Sequence, residues 1–520
     1  MKKNLILFII FPFVCCVLIF LIFGIWQNFL VFKALKSRNL SQASIISQKA
    51  VFFPKTLNWL TFKQIEVFKL WELLLEESST AQTIVNNSQQ YLAEALNEQT
   101  SDPELAKKII EDLEKINIKL NKIDIKALND AKLLINDLLI ITKNFLQTDQ
   151  RYVVILQNSD ELRATGGFFG SFFILESKHG QIALIKIQDV YVPDGQFTAF
   201  LEAPPGLKEY LSSGKGLRLP DANWWPNFAD SAEQILYFFE QIDAKPYQGV
   251  IAINLQVVEQ LLELSGAVYL PDYNTFVDHH NFAQIARADR QEFFPGSQEK
   301  VNFLNHFFKF FKLQLSQTLQ KEPKKSLLLI KQLLANKDVQ IYSRDQVIAP
   351  ILEKRNLTGK MLNQQELYYF LVESNVGINK TNRLVDRQVK IQIAETADTI
   401  LINWQNNNPL PYVNYQRLYT NFPSAVLSLK INGTTIKDFA QNKFVTREGQ
   451  EFMEIGFLVP VLAENQTQVE IELKNSLSIE AKKKLFIQKQ AGLTAPQYTI
   501  TYQAQSRDFK LTSDQSLIFD

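Results

Sequence analysis

Between residues 158 and 172 the chain reads NSDELRATGGFFGSF, which sets Asp160, Glu161 and Arg163 beside the paired glycines Gly166 and Gly167. Arginine presents a planar fork of donors that matches carboxylate or phosphate. Backbone N–H groups freed at the glycines can complete an anion site with it. The two acids are suited to hold a divalent cation such as magnesium on that anion. The same residues admit a structural role, in which Arg163 pairs with Asp160 or Glu161 and the glycines relieve a bend before a strand. A second cluster, RLPDANWWPNF at 218–228, sets Arg218 and Asp221 around a proline. It adds Trp224 and Trp225, whose rings are suited either to stacking on a sugar or to filling a loop core.

Other chemistries lack their residues. No Walker loop, nucleophile-elbow Gly-x-Ser-x-Gly or His-Glu-x-x-His helix occurs. GGFFG does not fit the dinucleotide fingerprint. The four histidines include the adjacent pair His279 and His280 after Asp278. Neighbouring side chains diverge and no third ligand is evident, so a solvated loop is expected there and no metal. A formal net charge of +1 gives no electrostatic case for nucleic acid.

Several domains must position these residues, since 520 residues exceed one core. Leu5 to Trp26 runs 22 positions without a charge, roughly 33 Å as a helix and enough to span a bilayer. No small-residue cleavage site closes it, so residues 1–39 are expected to form a transmembrane signal anchor and its flank. The basic residues on its two sides nearly balance, and the commoner arrangement exports the large domain. Both cysteines, Cys15 and Cys16, lie inside the apolar run, so an exported part would have no disulfide framework.

Residues 40–148 read as a helical bundle or stalk. SDPELAKKIIEDLEKINIKL opens on a capping residue and a proline, and its apolar positions fall on one face. From 149 to 370 strands alternate with helices, beginning with the continuous apolar run RYVVILQN, which predicts a layered α/β domain. From 371 to 520 short strands follow one another with turn signals between them, as in an antiparallel β-sandwich. The fold class expected is therefore α+β and multidomain.

LQNSDELRATGGFFGS, DANWWPNFADSAEQIL, QGVIAINLQVVEQLLELSGAVYL, SNVGINKTNRLVDRQV and FIQKQAG together resemble the bacterial family called domain of unknown function 4012. That resemblance spans nearly everything after residue 150 and implies an envelope protein held by one transmembrane helix, with no established activity. GVIAINLQVVEQLLELSGAVYL also resembles a segment of the LytR-CpsA-Psr ligases, which move glycopolymers from a polyprenyl pyrophosphate lipid. By that resemblance Arg163 falls at their first pyrophosphate-binding arginine. Their second arginine is missing from IALIKIQDVYVPDG, which offers Lys186, Asp189 and Asp194, and Arg218 of the neighbouring loop is the substitute.

Two functions follow as expectations. The first is a single-pass plasma-membrane protein, its bulk extracytoplasmic, that binds cell-wall or surface polymers or proteins. The second is a phosphotransferase acting on lipid-linked glycan. They part on whether Arg163 and Arg218 reach one site.

Overall fold

The computed structural model describes residues 102–122, 128–178, 181–184, 187–288, 298–362 and 366–520, with scattered positions between 79 and 94. The anchor expected over Leu5–Trp26 lies outside the described residues, as do His179 and Lys186. Among the described residues no helix is long and apolar enough to cross a membrane. Architecturally the chain is α+β, with helices, a mixed sheet and two large β-sheets.

The described residues before Gln150, with 177–182, form one compact unit; 150–176 with 183–520 form a second. In the first, α1 (Pro103–Asn121) starts as its sequence requires: the Asp102 side chain accepts from the Glu104 N–H at 3.0 Å, and Pro103 takes the first helical position. Ile109, Ile110 and Leu113 of α1 bury against Leu139 and Leu146 of α2 (Asn129–Gln147).

The second unit begins with a six-stranded sheet. Its strands are β1 (Gln150–Asn158), β2 (Phe168–Lys178), β3 (Gln181–Leu184), β4 (Gln188–Asp189), β5 (Gly249–Asn254) and, beyond the small hairpin of β6 (Val268–Leu270) and β7 (Thr275–Val277), β8 (Val339–Ser343). The order is β3–β2–β1–β5–β8, with β4 on β2. β1 and β5 run parallel with Gln157 opposite Asn254, and β8 returns antiparallel to β5. Helix α3 (Phe228–Ile242) packs Ile235, Leu236 and Phe239 onto one face with Val153 and Ile155 of β1. Between β5 and β8 the chain inserts α4 (Leu255–Ser265), the β6–β7 hairpin, α5 (Phe282–Ala288), α6 (Gln298–Lys321) and α7 (Pro323–Ala335). Phe303, Leu304, Phe307 and Phe311 of α6 form a separate core there with Leu262, Val268 and Phe282.

The last part holds two larger sheets. One has seven strands, including Val385–Ile393 and Asp398–Asn406, whose residues alternate between buried and outward positions as a half-covered sheet requires. The other has six, and its central strand Leu367–Asn375 is buried at every residue. The reason is that it is a middle layer. Leu367, Tyr369 and Leu371 face the core shared with the seven-stranded sheet, whereas Tyr368, Phe370 and Val372 pack with Ala164. Ala164 belongs to the glycine-rich stretch NSDELRATGGFFGSF. The boundary read at 370 marks a change of element type inside one compact unit.

Candidate functional site

The parallel strands β1 and β5 end side by side on polar residues. Gln157 Nε2 donates to Asn254 Oδ1 at 2.8 Å, and both residues line a cavity of about 1010 Å³ at the carboxyl ends of these strands. Open α/β sheets bind ligands at this place, because the loops that leave neighbouring strands diverge there. Three parts of the second unit wall the cavity: the stretches 156–171, from the end of β1 to the start of β2, and 191–221, the inserted helices, and residues 378 and 380 from the loop after strand Leu367–Asn375.

Arg163 and Arg218 both line it, with Glu161 and Asp221. Arg163 is 2% exposed and nearly saturated. Its Nε donates to Asp221 at 3.3 Å, Nη2 to Glu161 at 3.3 Å, and Nη1 to the carbonyls of Leu162 at 3.2 Å and Asn375 at 2.8 Å. It is thus a tie between loops, with the carboxylate partner expected of its structural role. Arg218, with its side chain 30% exposed, makes a two-oxygen pair to Asp194 at 3.1 and 3.2 Å and donates to the Phe197 carbonyl at 3.3 Å. A turn of 3₁₀ helix over Leu219–Asp221 sets Arg218 and Asp221 a step apart, so both can reach the same space.

Asp160 parts from Glu161. Its carboxylate accepts from Arg383 at 3.1 Å, and it is not among the residues lining the cavity, so the two acids do not converge as ligands of one cation. Among the described residues no group of three His, Cys, Asp or Glu side chains comes together to hold a metal. The glycines also differ from an anion cradle. The Gly166 N–H is spent on the Arg163 carbonyl at 3.0 Å. Gly166 sits at φ +133°, where a Cβ would come within 2.3 Å of Asn254 Oδ1, and a Cβ on Gly167 would meet the Asn158 carbonyl at 2.4 Å. Both are glycine because backbone and side chains pass that closely. Trp224 is buried, stacked 6.0 Å from the Tyr415 ring with the Arg417 guanidinium 4.5 Å from its ring centroid, so its indole meets protein rather than sugar. Trp225 is partly buried against the same core.

Several lining residues escaped the sequence reading: Lys215, Lys300, Lys380 and Tyr191, and the apolar Phe282, Leu304 and Ile378. Lysines and aromatics on loops and helices carry no spacing signal. Lys380 and Ile378 lie within SNVGINKTN, a stretch noted only for its resemblance. Lys215 has no ion-pair partner among the described residues. Burial, and then the carboxylates of Asp221, Glu161, Asp189 and Asp194, push the Tyr191 hydroxyl up to about 12, so it remains a donor at neutral pH. Five cations and three carboxylates line the cavity, an excess of two positive charges. Leu255, Val258, Phe282, Leu304 and Phe308 of the inserted helices form an apolar wall.

The fold and site define an α+β protein with an amphipathic, net cationic cleft at the carboxyl ends of its parallel strands. Residues 147–290 match the model of the family described as "Protein of unknown function (DUF4012)". The match takes in β1, Arg163, Arg218 and α4 and ends before α6 and the loop of Ile378. No curated protein matches the chain.

Proposed function

We propose that the cleft binds an amphipathic anion of the polyprenyl phosphate or pyrophosphate class, bearing a glycan, at the outer face of the membrane that holds the chain. One observation carries this reading: Arg163, Arg218 and Lys215 line the same cavity as the apolar wall of Leu255, Val258, Leu304 and Phe308. A headgroup would take its charge from Lys215 and Arg218 and a hydrogen bond from the Tyr191 hydroxyl, while the isoprenoid lies along the inserted helices. The volume is in the range of ligand sites that enclose most of a small molecule. By this reading the protein is a membrane-anchored, extracytoplasmic envelope protein that captures a lipid-linked wall or surface polymer.

Binding of farnesyl pyrophosphate to the full chain in detergent, with and without magnesium, tests it. Arg218→Gln removes a charge-assisted contact of about 1.5–3 kcal/mol, so affinity is expected to fall about 10- to 150-fold, with circular dichroism unchanged. Equal affinity of parent and variant, or no binding to either, overturns the reading.

Transfer of the glycan phosphate is the second reading, favoured by two arginines reaching one cavity. An acceptor hydroxyl would attack the glycan-bearing phosphorus and lose its proton to a carboxylate. The bridging P–O bond would break and polyprenyl phosphate would leave. Release of that product from a lipid-linked glycan distinguishes transfer from binding alone.

A further inference from the structure

We infer that one end of the β-sandwich, beside the mouth of the cleft, docks on a lipid bilayer. Four aliphatic side chains stand exposed on neighbouring loops there: Ile378 at 66%, Leu384 at 47%, Leu410 at 54% and Leu462 at 64%. Hydrogen bonds knot these loops together. Asn379 Nδ2 donates to the Pro411 carbonyl at 2.8 Å, and Asn406 Nδ2 to the carbonyls of Leu410 at 2.9 Å and Leu462 at 3.0 Å. The Asn407 N–H donates to the Leu384 carbonyl at 2.8 Å.

Ile378 shows that the display is enforced. It sits at φ +52°, a left-handed conformation that a β-branched residue rarely adopts, yet its side chain points to solvent. Such strain persists only where the surroundings over-determine it. Here Asn375 does so, its Oδ1 accepting from the Gly377 N–H at 3.0 Å and its Nδ2 donating to the Asn379 carbonyl at 2.9 Å. Thr381 adds a bond to Asn379 Oδ1 at 2.7 Å.

The chemistry of this end fits lipid. Protein-binding hot spots are built on Trp, Tyr and Arg in packed pockets, whereas these tips are aliphatic and stand apart on separate loops. The backbone carbonyls of Leu384, Leu410 and Leu462 are satisfied by amides of Asn406 and Asn407 within the knot, so these polar groups would not enter the headgroup layer as orphans. A bilayer is also at hand, given the uncharged run Leu5–Trp26. Ile378 and Lys380 line the cleft as well, so the docked end would open the mouth where an amphipathic anion leaves the membrane; this last step rests on the ligand proposed above.

The test uses the full chain with Cys15→Ser and Cys16→Ser in vesicles of phosphatidylethanolamine and phosphatidylglycerol with brominated acyl chains. A fluorophore on Leu410→Cys or Leu462→Cys is expected to lose at least half its emission to bromine quenching. The same label on Ser476→Cys, at the far end of strand Gln466–Asn475 and roughly 30 Å away, is expected to keep it. The double variant Leu410→Asp with Leu462→Asp should abolish quenching at Leu384→Cys while leaving farnesyl pyrophosphate affinity in detergent unchanged. No quenching at 410 and 462, quenching equal to that at 476, or shielding of the label without bromine quenching, as a protein partner would give, overturns the docking. Farnesyl pyrophosphate still bound in that case leaves the cleft reading standing. Quenched tips on a chain that does not bind it would sink the cleft reading alone.

Discussion

Arg163 and Arg218 are the same residue type at one cavity, and the structure divides their work. Replacing Arg163 leaves Glu161 and Asp221 without their buried cation and takes the Nη1 donor from the Asn375 carbonyl, so Arg163→Met is expected to cost about 3–5 kcal/mol in urea unfolding. Arg218→Gln, at a partly solvated pair, should stay within about 1 kcal/mol of the parent. A variant at Arg163 that kept full stability would show the tie to be unimportant. Gly166→Ala should be similarly disruptive, because φ +133° is closed to alanine and its Cβ has no space. That the stretch mattered was legible in its residue types. Which arginine is saturated was not, since Asn375, which closes the shell of Arg163, lies 212 positions away. Lys489 is a further residue no local pattern marks. Burial lowers it to about 8 from 10.5, against the opposing pull of Asp338. The fold therefore disfavours its charged form. The unfolded chain holds the extra proton between about pH 8 and 10.5, so stability is lowest below 8 and rises as pH climbs through that window. The thermal midpoint should rise from pH 8 towards 9.5 in the parent and stay flatter in Lys489→Met; parallel curves would sink this assignment.

Among elements, the inserted helices are the part whose role the sequence obscured. FLNHFFKFFKLQL announces a buried helix by its aromatics, and α6 buries Phe303, Phe307 and Phe311 accordingly. Aromatic content cannot say that one side of the same helix, at Leu304 and Phe308, becomes the wall of a cavity. β1 was legible because a strand covered on both faces must be apolar throughout, and the sandwich strands because half-covered sheets alternate. If the wall holds an isoprenoid, Leu304→Ala should weaken farnesyl pyrophosphate by roughly 5- to 150-fold, the worth of one buried aliphatic contact of about 1–3 kcal/mol. Inorganic pyrophosphate, which has no tail, should bind parent and variant alike. Titration of both ligands checks this, and an equal loss for the two would assign Leu304 to general packing instead.

At the scale of the whole second unit, a late segment completes the early motif. FIQKQAG brings Gln490, whose Nε2 donates to the Arg163 carbonyl at 3.1 Å and to the Glu373 carbonyl at 2.8 Å. Gly492 at φ +76° then lies so close that a Cβ would fall 1.9 Å from the Gly166 carbonyl oxygen. Lys489 Nζ reaches the Asn336 carbonyl at 3.0 Å. The segment thus stitches the mixed sheet, the end of α7 and the strand Leu367–Asn375 into one body. Sequence shows two textures there because element type changes at 370, and texture is blind to contacts more than 300 positions apart. Contacts of this kind make the unit cooperative, since neither part can lose its structure without exposing buried polar groups of the other. Gly492→Ala should therefore lower hydrogen-exchange protection of β1 and of the strand Leu367–Asn375 by the same factor. Calorimetry of residues 150–520 within the full chain should keep a single transition for both. Loss of protection in the sandwich alone, or a split of that transition, would show that the textures are independent domains and that the cleft stands without the segment closing it.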